Sequence, residues 1–97
     1  MKPVKRIEIV IEEIELENVI GELDRIGVVG YTIVPRAVGR GERGVRYESV
    51  PGLGNVLMTI ACDERQANQV IEAIRPILKR YGGVCLVSGA MWVVHDS

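Results

Sequence analysis

"NVLMTIACDERQANQVIEAIRPILKRYGGVCLVSGAMWVV", Asn55 to Val94, decides how this chain folds, because it holds a strand, a helix and a second strand in one run. Asn55–Cys62 is a short apolar stretch of strand length closed by "DERQ". There Asp63 is placed to cap a helix and Gln66, three residues on, to reciprocate as a capping box. Ala67, Val70, Ile71, Ile74, Ile77, Leu78 and Tyr81 then recur at the spacing that lays one apolar stripe along a helix. Pro76 lies inside that helix, where it removes a backbone donor and crowds the preceding turn, so a bend or a weakened turn is expected. "YGG" at Tyr81–Gly83 stops the helix, and Val84–Val94 reads as a long final strand. In that strand Cys85, Val87, Met91 and Val93 alternate with Val84, Leu86, Ala90, Trp92 and Val94, so both faces are apolar, the pattern of a strand covered on both sides.

The N-terminal half repeats the plan. Ile7, Ile9 and Ile11 alternate with Arg6 and Glu8 within Val4–Ile11, the period-two signature of a strand with one polar face. After the acidic run Glu12–Glu17, a stripe of Leu16, Val19, Ile20, Leu23 and Ile26 predicts a helix. The glutamates suit the positive end of its dipole, and Gly27 is its stop. Val28–Val34, rich in β-branched residues and ending at Pro35, reads as the second strand. The order β-α-β, long connection, β-α-β is the split βαβ, ferredoxin-like plan: an α+β fold with a four-stranded antiparallel sheet and both helices on one face. Residues 1–97 are expected to form a single domain, with a flexible connection at about 38–54. The apolar second face needs a cover. Another copy of the chain in a closed cyclic oligomer is the expected one, since a monomer would expose a patch of roughly several hundred Å².

Composition narrows the function. The 97 residues carry a net charge of −1, which excludes a surface built throughout for nucleic acid or anionic lipid. There is no apolar run of about eighteen residues to insert in a membrane, and the charged start "MKPVKRIEIV" does not suit a signal peptide, so a cytoplasmic protein is expected. Cys62 and Cys85 stand singly in apolar runs and read as small buried hydrophobes. With one histidine beside them, they offer no ligand set for a metal. That histidine, His95, lies at the frayed end, and nothing pairs a nucleophile with a base, so no catalytic residues are expected.

The connection itself, "AVGRGERGVRYESVPGLGN" from Ala37 to Asn55, concentrates the chemistry. Arg36, Arg40, Arg43 and Arg46 are opposed only by Glu42 and Glu48 up to that point. Gly39, Gly41 and Gly44 free the backbone to turn its N–H groups inward, and arginines supply planar, permanently charged forks. The combination suits a phosphate or carboxylate. Composition alone equally allows a solvated loop that binds nothing. There is no GK[ST] to make it a Walker loop. By themselves, "GGV" at Gly82–Val84 reads as a helix cap and "GYT" at Gly30–Thr32 as a strand with one tight backbone approach.

Taken together, the element order, "GYT", the glycine and arginine connection and "YGGVCLVSG" resemble the PII signal-transduction superfamily over almost the whole chain. The resemblance implies trimers whose sheets face inward, with adenine nucleotides in clefts between subunits beneath the connection, which would be the T-loop. "GYTIV" followed by "GRGERGVR" is most similar to the PII-like proteins of inorganic-carbon metabolism, the carboxysome-associated PII and SbtB-like proteins. The resemblance then implies Gly30, Tyr31 and Thr32 for adenine and ribose, Gly39, Arg40, Gly41, Arg43 and Arg46 for phosphate, and Gly82, Gly83 and Val84 as the opposing wall from a neighbour. It implies a non-enzymatic regulator with bicarbonate as a further ligand and a bicarbonate transporter or carboxysome-related protein as partner. Nitrogen-type PII proteins carry "TGxxGDGK" after the second helix and a uridylylated loop tyrosine. Here "YGGVCLVS" has no lysine to reach phosphates, so AMP or ADP is expected ahead of ATP or cyclic AMP. The surroundings of Tyr47 do not match the modified tyrosine, so no uridylylation is expected. Ending at "HDS", the sequence shows no cysteine-containing extension of the SbtB kind, and no redox latch is expected.

Three other classes share this strand order. An acylphosphatase-like hydrolase would need a phosphate cradle after the first strand, where "IEEIELEN" is acidic. An RNA-recognition module needs aromatic side chains on its sheet, and the chain has no phenylalanine and no RNP pattern. The remaining alternatives are a nitrogen-type PII regulator and a trimeric structural or cation-tolerance protein without nucleotide binding.

Overall fold

The computed structural model describes residues 1–37, 39–41, 44–46 and 54–95. Strand β1 (Lys2–Glu12) passes through a 3-10 turn, Glu13–Glu15, into α1 (Leu16–Arg25). Then follow β2 (Thr32–Ala37), the short strands β3 (Gly39–Gly41) and β4 (Gly44–Arg46), β5 (Asn55–Cys62), α2 (Glu64–Tyr81) and β6 (Val84–Trp92). The main sheet has four antiparallel strands in the order β2-β5-β1-β6, and β3 and β4 form a separate hairpin. This is the expected α+β, ferredoxin-like βαββαβ arrangement.

Pairing explains the core. Ile7 lies opposite Ile60, Ile9 opposite Met58 and Ile11 opposite Val56, and directly opposed residues share a face. That face meets Val19 and Leu23 of α1 and Ala67, Val70 and Ile74 of α2, all buried. Each fully buried aliphatic side chain contributes about 1.5–3 kcal/mol of transfer free energy, so this single apolar layer dominates the stability of the fold.

Local chemistry fixes the helix ends. At the end of α1, Gly27 adopts φ 84°. The Gly27 amide donates to the Asp24 carbonyl at 3.1 Å and the Val28 amide to the Leu23 carbonyl at 2.9 Å. These two bonds make a Schellman cap, and its hydrophobic contact is between Leu23 and Val28, both buried. This corrects the second strand. Val28 belongs to the cap of α1, and β2 starts only at Thr32 and runs on through Pro35 to Ala37. Pro35 is tolerated because β2 is an edge strand, and the pairing shifts between Pro35 and Ala37 around Arg36, which has φ 60°.

Asp63 caps α2 as expected, its carboxylate accepting from the Gln66 amide at 2.7 Å. The reciprocal half of the box does not form. Instead, Gln66 Nε2 donates to the Gly27 carbonyl at 3.3 Å, tying the start of α2 to the end of α1. Pro76 leaves α2 unbroken. Pro76 and Glu72, whose carbonyl loses its helical donor, are both exposed, so water can replace the missing bond.

The last strand departs most from expectation. In the single chain it is exposed on both faces, with Leu86 at 61% on one and Met91 at 53% on the other. Cys62 is buried but Cys85 only half-buried, because β6 lies at the margin of the helix layer. The two sheet edges also differ. β2 carries a proline and a bulge, devices that discourage further pairing, whereas Val84–Trp92 has neither proline nor charge.

Candidate functional site

The candidate residues are positioned by the two edges of the sheet and by the hairpin between β2 and β5. Gly30 and Tyr31 lead into β2, and Thr32 opens it opposite Thr59. Tyr31 is half-buried and packs against the core, while Thr32, the next residue, is exposed, as the alternation of a strand requires. Gly30 is exposed, and among the described residues a Cβ there would meet nothing within 4 Å, so none of them makes the tight backbone approach expected of "GYT". Its φ is also not positive. Neither backbone strain nor crowding within the described residues accounts for a glycine at this position.

Gly82 and Gly83 have the opposite character. Gly82 takes φ 80° and donates its amide to the Leu78 carbonyl at 2.8 Å, ending α2. Gly83, at φ 119°, packs so closely on β1 that a Cβ would stand 2.6 Å from the Val10 carbonyl oxygen and 3.1 Å from Leu78 Cδ2. The fold alone therefore demands this pair. Val84 follows, opposite Val10 and exposed.

The connection is partly ordered as β structure that the sequence pattern did not predict. Gly39 pairs with Arg46, Arg40 with Val45 and Gly41 with Gly44, which brings the backbones of most of the phosphate-binding candidates side by side. Arg43 and Tyr47 lie outside the described residues, as do 38, 42 and 48–53. The return of the chain is fixed by the Glu13 amide, which donates to the Gly54 carbonyl at 2.8 Å.

Register gives the spatial relation. Ala37 and Glu12 both oppose Asn55, while Val34, Leu57, Val10 and Val84 form one row. The base of the connection and Gly82–Val84 therefore share one end of the sheet. Across the sheet, however, Gly30–Thr32 and Gly82–Val84 sit on opposite edges, three strand spacings or about 14 Å apart. One chain does not bring the two walls together.

A cavity of about 440 Å³ opens at the other end of the sheet, between Pro3, Lys5, Glu64 and Met91, and includes none of the candidate residues. Among the described residues no group of His, Cys, Asp and Glu side chains could hold a metal ion, and no helix is long and apolar enough to cross a membrane. Burial pushes both thiols above their ordinary pKa, with the Asp63 charge adding to the effect at Cys62.

A ferredoxin-like subunit with a glycine and arginine hairpin inserted between its second and third main strands is the class of protein defined here. Residues 4–96 match the sequence profile of the family described as nitrogen regulatory protein P-II, and the chain belongs to that family of regulatory proteins. It falls with the PII-like members. CPII of Thiomonas intermedia K12, a nitrogen regulatory PII-like protein solved bound to ADP, AMP and bicarbonate, is 28% identical with a TM-score of 0.84, over 91% of this chain and 86% of that one. A second structure of CPII, bound to ADP and bicarbonate, is 31% identical with a TM-score of 0.81 over the same shares. A PII-like signalling protein of Thermus thermophilus is 26% identical with a TM-score of 0.75, over 96% of this chain and 91% of the other. No curated protein sequence matches the chain significantly.

Proposed function

We propose that this protein is a non-enzymatic, trimeric sensor of adenine nucleotides whose sites lie between subunits. The observation that carries the reading is the separation of the two candidate walls onto opposite edges of one sheet. In a cyclic ring the β6 edge of one copy faces the β2 edge of the next, so Gly82–Val84 of one subunit and Gly30–Thr32 of its neighbour line a common cleft. The connection leaves the sheet at the end that also carries Gly82–Val84, and in this reading its Arg40, Arg43 and Arg46 are the phosphate ligands. At Gly30 the open space about the missing Cβ leaves room for a ligand to lie against the backbone.

The CPII structures support ADP and AMP as the ligands and bicarbonate as a further one. The absence of a lysine in "YGGVCLVS" favours the shorter phosphate chains. Residues 38–54 act as a T-loop: anion contacts to the arginines select one loop arrangement and with it a partner, for which a bicarbonate transporter or carboxysome-related protein fits the resemblance. The protein works in the cytoplasm as a single domain spanning residues 1–97.

Isothermal titration with AMP, ADP, ATP and cyclic AMP, with and without bicarbonate, together with light scattering, tests the reading. Saturable ADP or AMP binding by a trimer is expected. Replacing Arg43 and Arg46 together by alanine is expected to weaken it, each charge-assisted contact being worth about 1.5–3 kcal/mol. A trimer with no nucleotide affinity would leave the fold and remove the function, as for a structural or cation-tolerance protein.

A further inference from the structure

The cavity of about 440 Å³ lies at the end of the sheet away from the connection, between the start of α2 and the paired ends of β1 and β6. Lys5 and Gly89 are register partners in its wall, on the face of the sheet that carries Ile7 and Ile9 to the helices. Lys5 therefore sets a half-buried cation where the core face runs out. Glu64, the first residue of α2, lines the same cavity. Among the described residues neither side chain makes a hydrogen bond or an ion pair, with the other or with a third group. Pro3 and Met91, the next register pair on that face, add apolar surface.

Gly89 is unexplained by the chain itself. It lies inside β6, where a residue without a side chain weakens a strand. Its φ is not positive, and the pairing of β1 with β6 runs from Lys2 to Val10 without a bulge. Among the described residues a Cβ there would meet nothing within 4 Å. Neither backbone conformation nor packing therefore calls for glycine. An interior strand glycine that makes no bulge or bend marks the close approach of a ligand or of another backbone.

We propose that this cavity binds a free α-amino acid with an apolar side chain. Lys5 holds the ligand's carboxylate, Glu64 its ammonium group, and Pro3 and Met91 its side chain, while Gly89 leaves room for the ligand beside the strand. A zwitterion answers both a cation and an anion that the fold keeps apart. A simple anion would pair with Lys5 but be repelled by Glu64 and Asp63, and a simple cation would meet the reverse. Asp63 is already engaged, its carboxylate accepting from the Gln66 amide, so the ammonium falls to Glu64. The volume lies within the roughly 300–1,000 Å³ of small-molecule sites, which join apolar walls to a few orienting polar groups. Gly82–Val84 and the base of the connection are at the opposite end of the sheet, so this site stands whether or not a nucleotide binds there.

Two-dimensional amide NMR of the full chain, titrated with L-leucine in the absence of nucleotide, tests it. Saturable shifts at the Lys5, Glu64 and Gly89 amides are expected. Isocaproate, which lacks the ammonium group, and isoamylamine, which lacks the carboxylate, are each expected to bind at least about tenfold more weakly. Lys5→Gln and Glu64→Gln are expected to weaken L-leucine binding by a similar factor. Gly89→Val fills the cavity and is expected to abolish the shifts at Lys5 and Glu64. Its Tm should not fall, since a β-branched residue suits a strand, and its mass by light scattering should match wild type. Should Gly89→Val not fold, Gly89→Ala makes the same comparison. No saturable shift with L-leucine overturns the site, as does undiminished binding by Glu64→Gln or Gly89→Val. Isocaproate binding as tightly as L-leucine overturns the zwitterion. A folded Gly89→Val of lower mass than wild type assigns the glycine to contact with another copy and overturns the proposal.

Discussion

Gly83→Ala is expected to be among the most damaging single-methyl additions in this protein. The added Cβ would stand 2.6 Å from the carbonyl oxygen of Val10 and within 3.1–3.2 Å of Leu78 Cδ2 and Ile11 Cγ2. Val10 lies on an inner strand paired on both sides, so its backbone cannot withdraw without breaking register with Leu57 and Val84. A φ of 119° adds conformational strain of about 1–3 kcal/mol for any L residue. Overpacking adds about 1–3 kcal/mol more. The sum is about 2–6 kcal/mol, a large share of the roughly 5–15 kcal/mol that holds such a domain folded. At about 4–8 °C per kcal/mol, the Tm falls by at least about 8 °C. Thermal unfolding followed by circular dichroism, at equal protomer concentration, measures it. A fall of less than about 4 °C would refute the reasoning. Gly30→Ala is the control: with open space around its Cβ and no positive φ, it is expected to leave stability within about 0.5 kcal/mol while lowering nucleotide affinity.

Asp63→Ala removes the side chain that accepts from the Gln66 amide and is expected to cost about 0.5–2 kcal/mol in urea unfolding, with Asp63→Asn recovering most of it. Because burial raises the folded-state pKa of the Cys62 and Cys85 thiols, the unfolded chain loses those protons first as pH climbs. Their contribution is complete below the ordinary thiol pKa of about 8.5 and is lost at higher pH, so the urea midpoint is expected to fall less between pH 8 and 10 when both are replaced by alanine.

Much of the fold was legible because short-range physics wrote it. The alternation of Ile7, Ile9 and Ile11, the helical stripe from Ala67 to Tyr81, and the stops at Gly27 and Gly82 survive unchanged in the structure. What misled was chemistry satisfied by a neighbour distant in sequence. Val28 has the composition of a strand, but its amide and side chain complete the cap of α1. Gln66 has the spacing of a capping box, but the free carbonyl of Gly27 takes its amide. The hairpin at 39–46 escaped notice because its glycines and arginines have no strand period, and cross-strand backbone pairing holds it.

The same division holds for the candidate site. Sequence by itself determined which residue types are available: arginine forks and glycines in one connection, glycines at a helix end, and an apolar last strand, since charge, side-chain volume and backbone freedom belong to each residue wherever it lies. Only the tertiary structure decided that Gly83 is required by the Val10 carbonyl whereas Gly30 faces open space. It alone placed Gly30–Thr32 and Gly82–Val84 on opposite edges of the sheet, because strand order is set by non-local pairing, which no local pattern in the chain encodes.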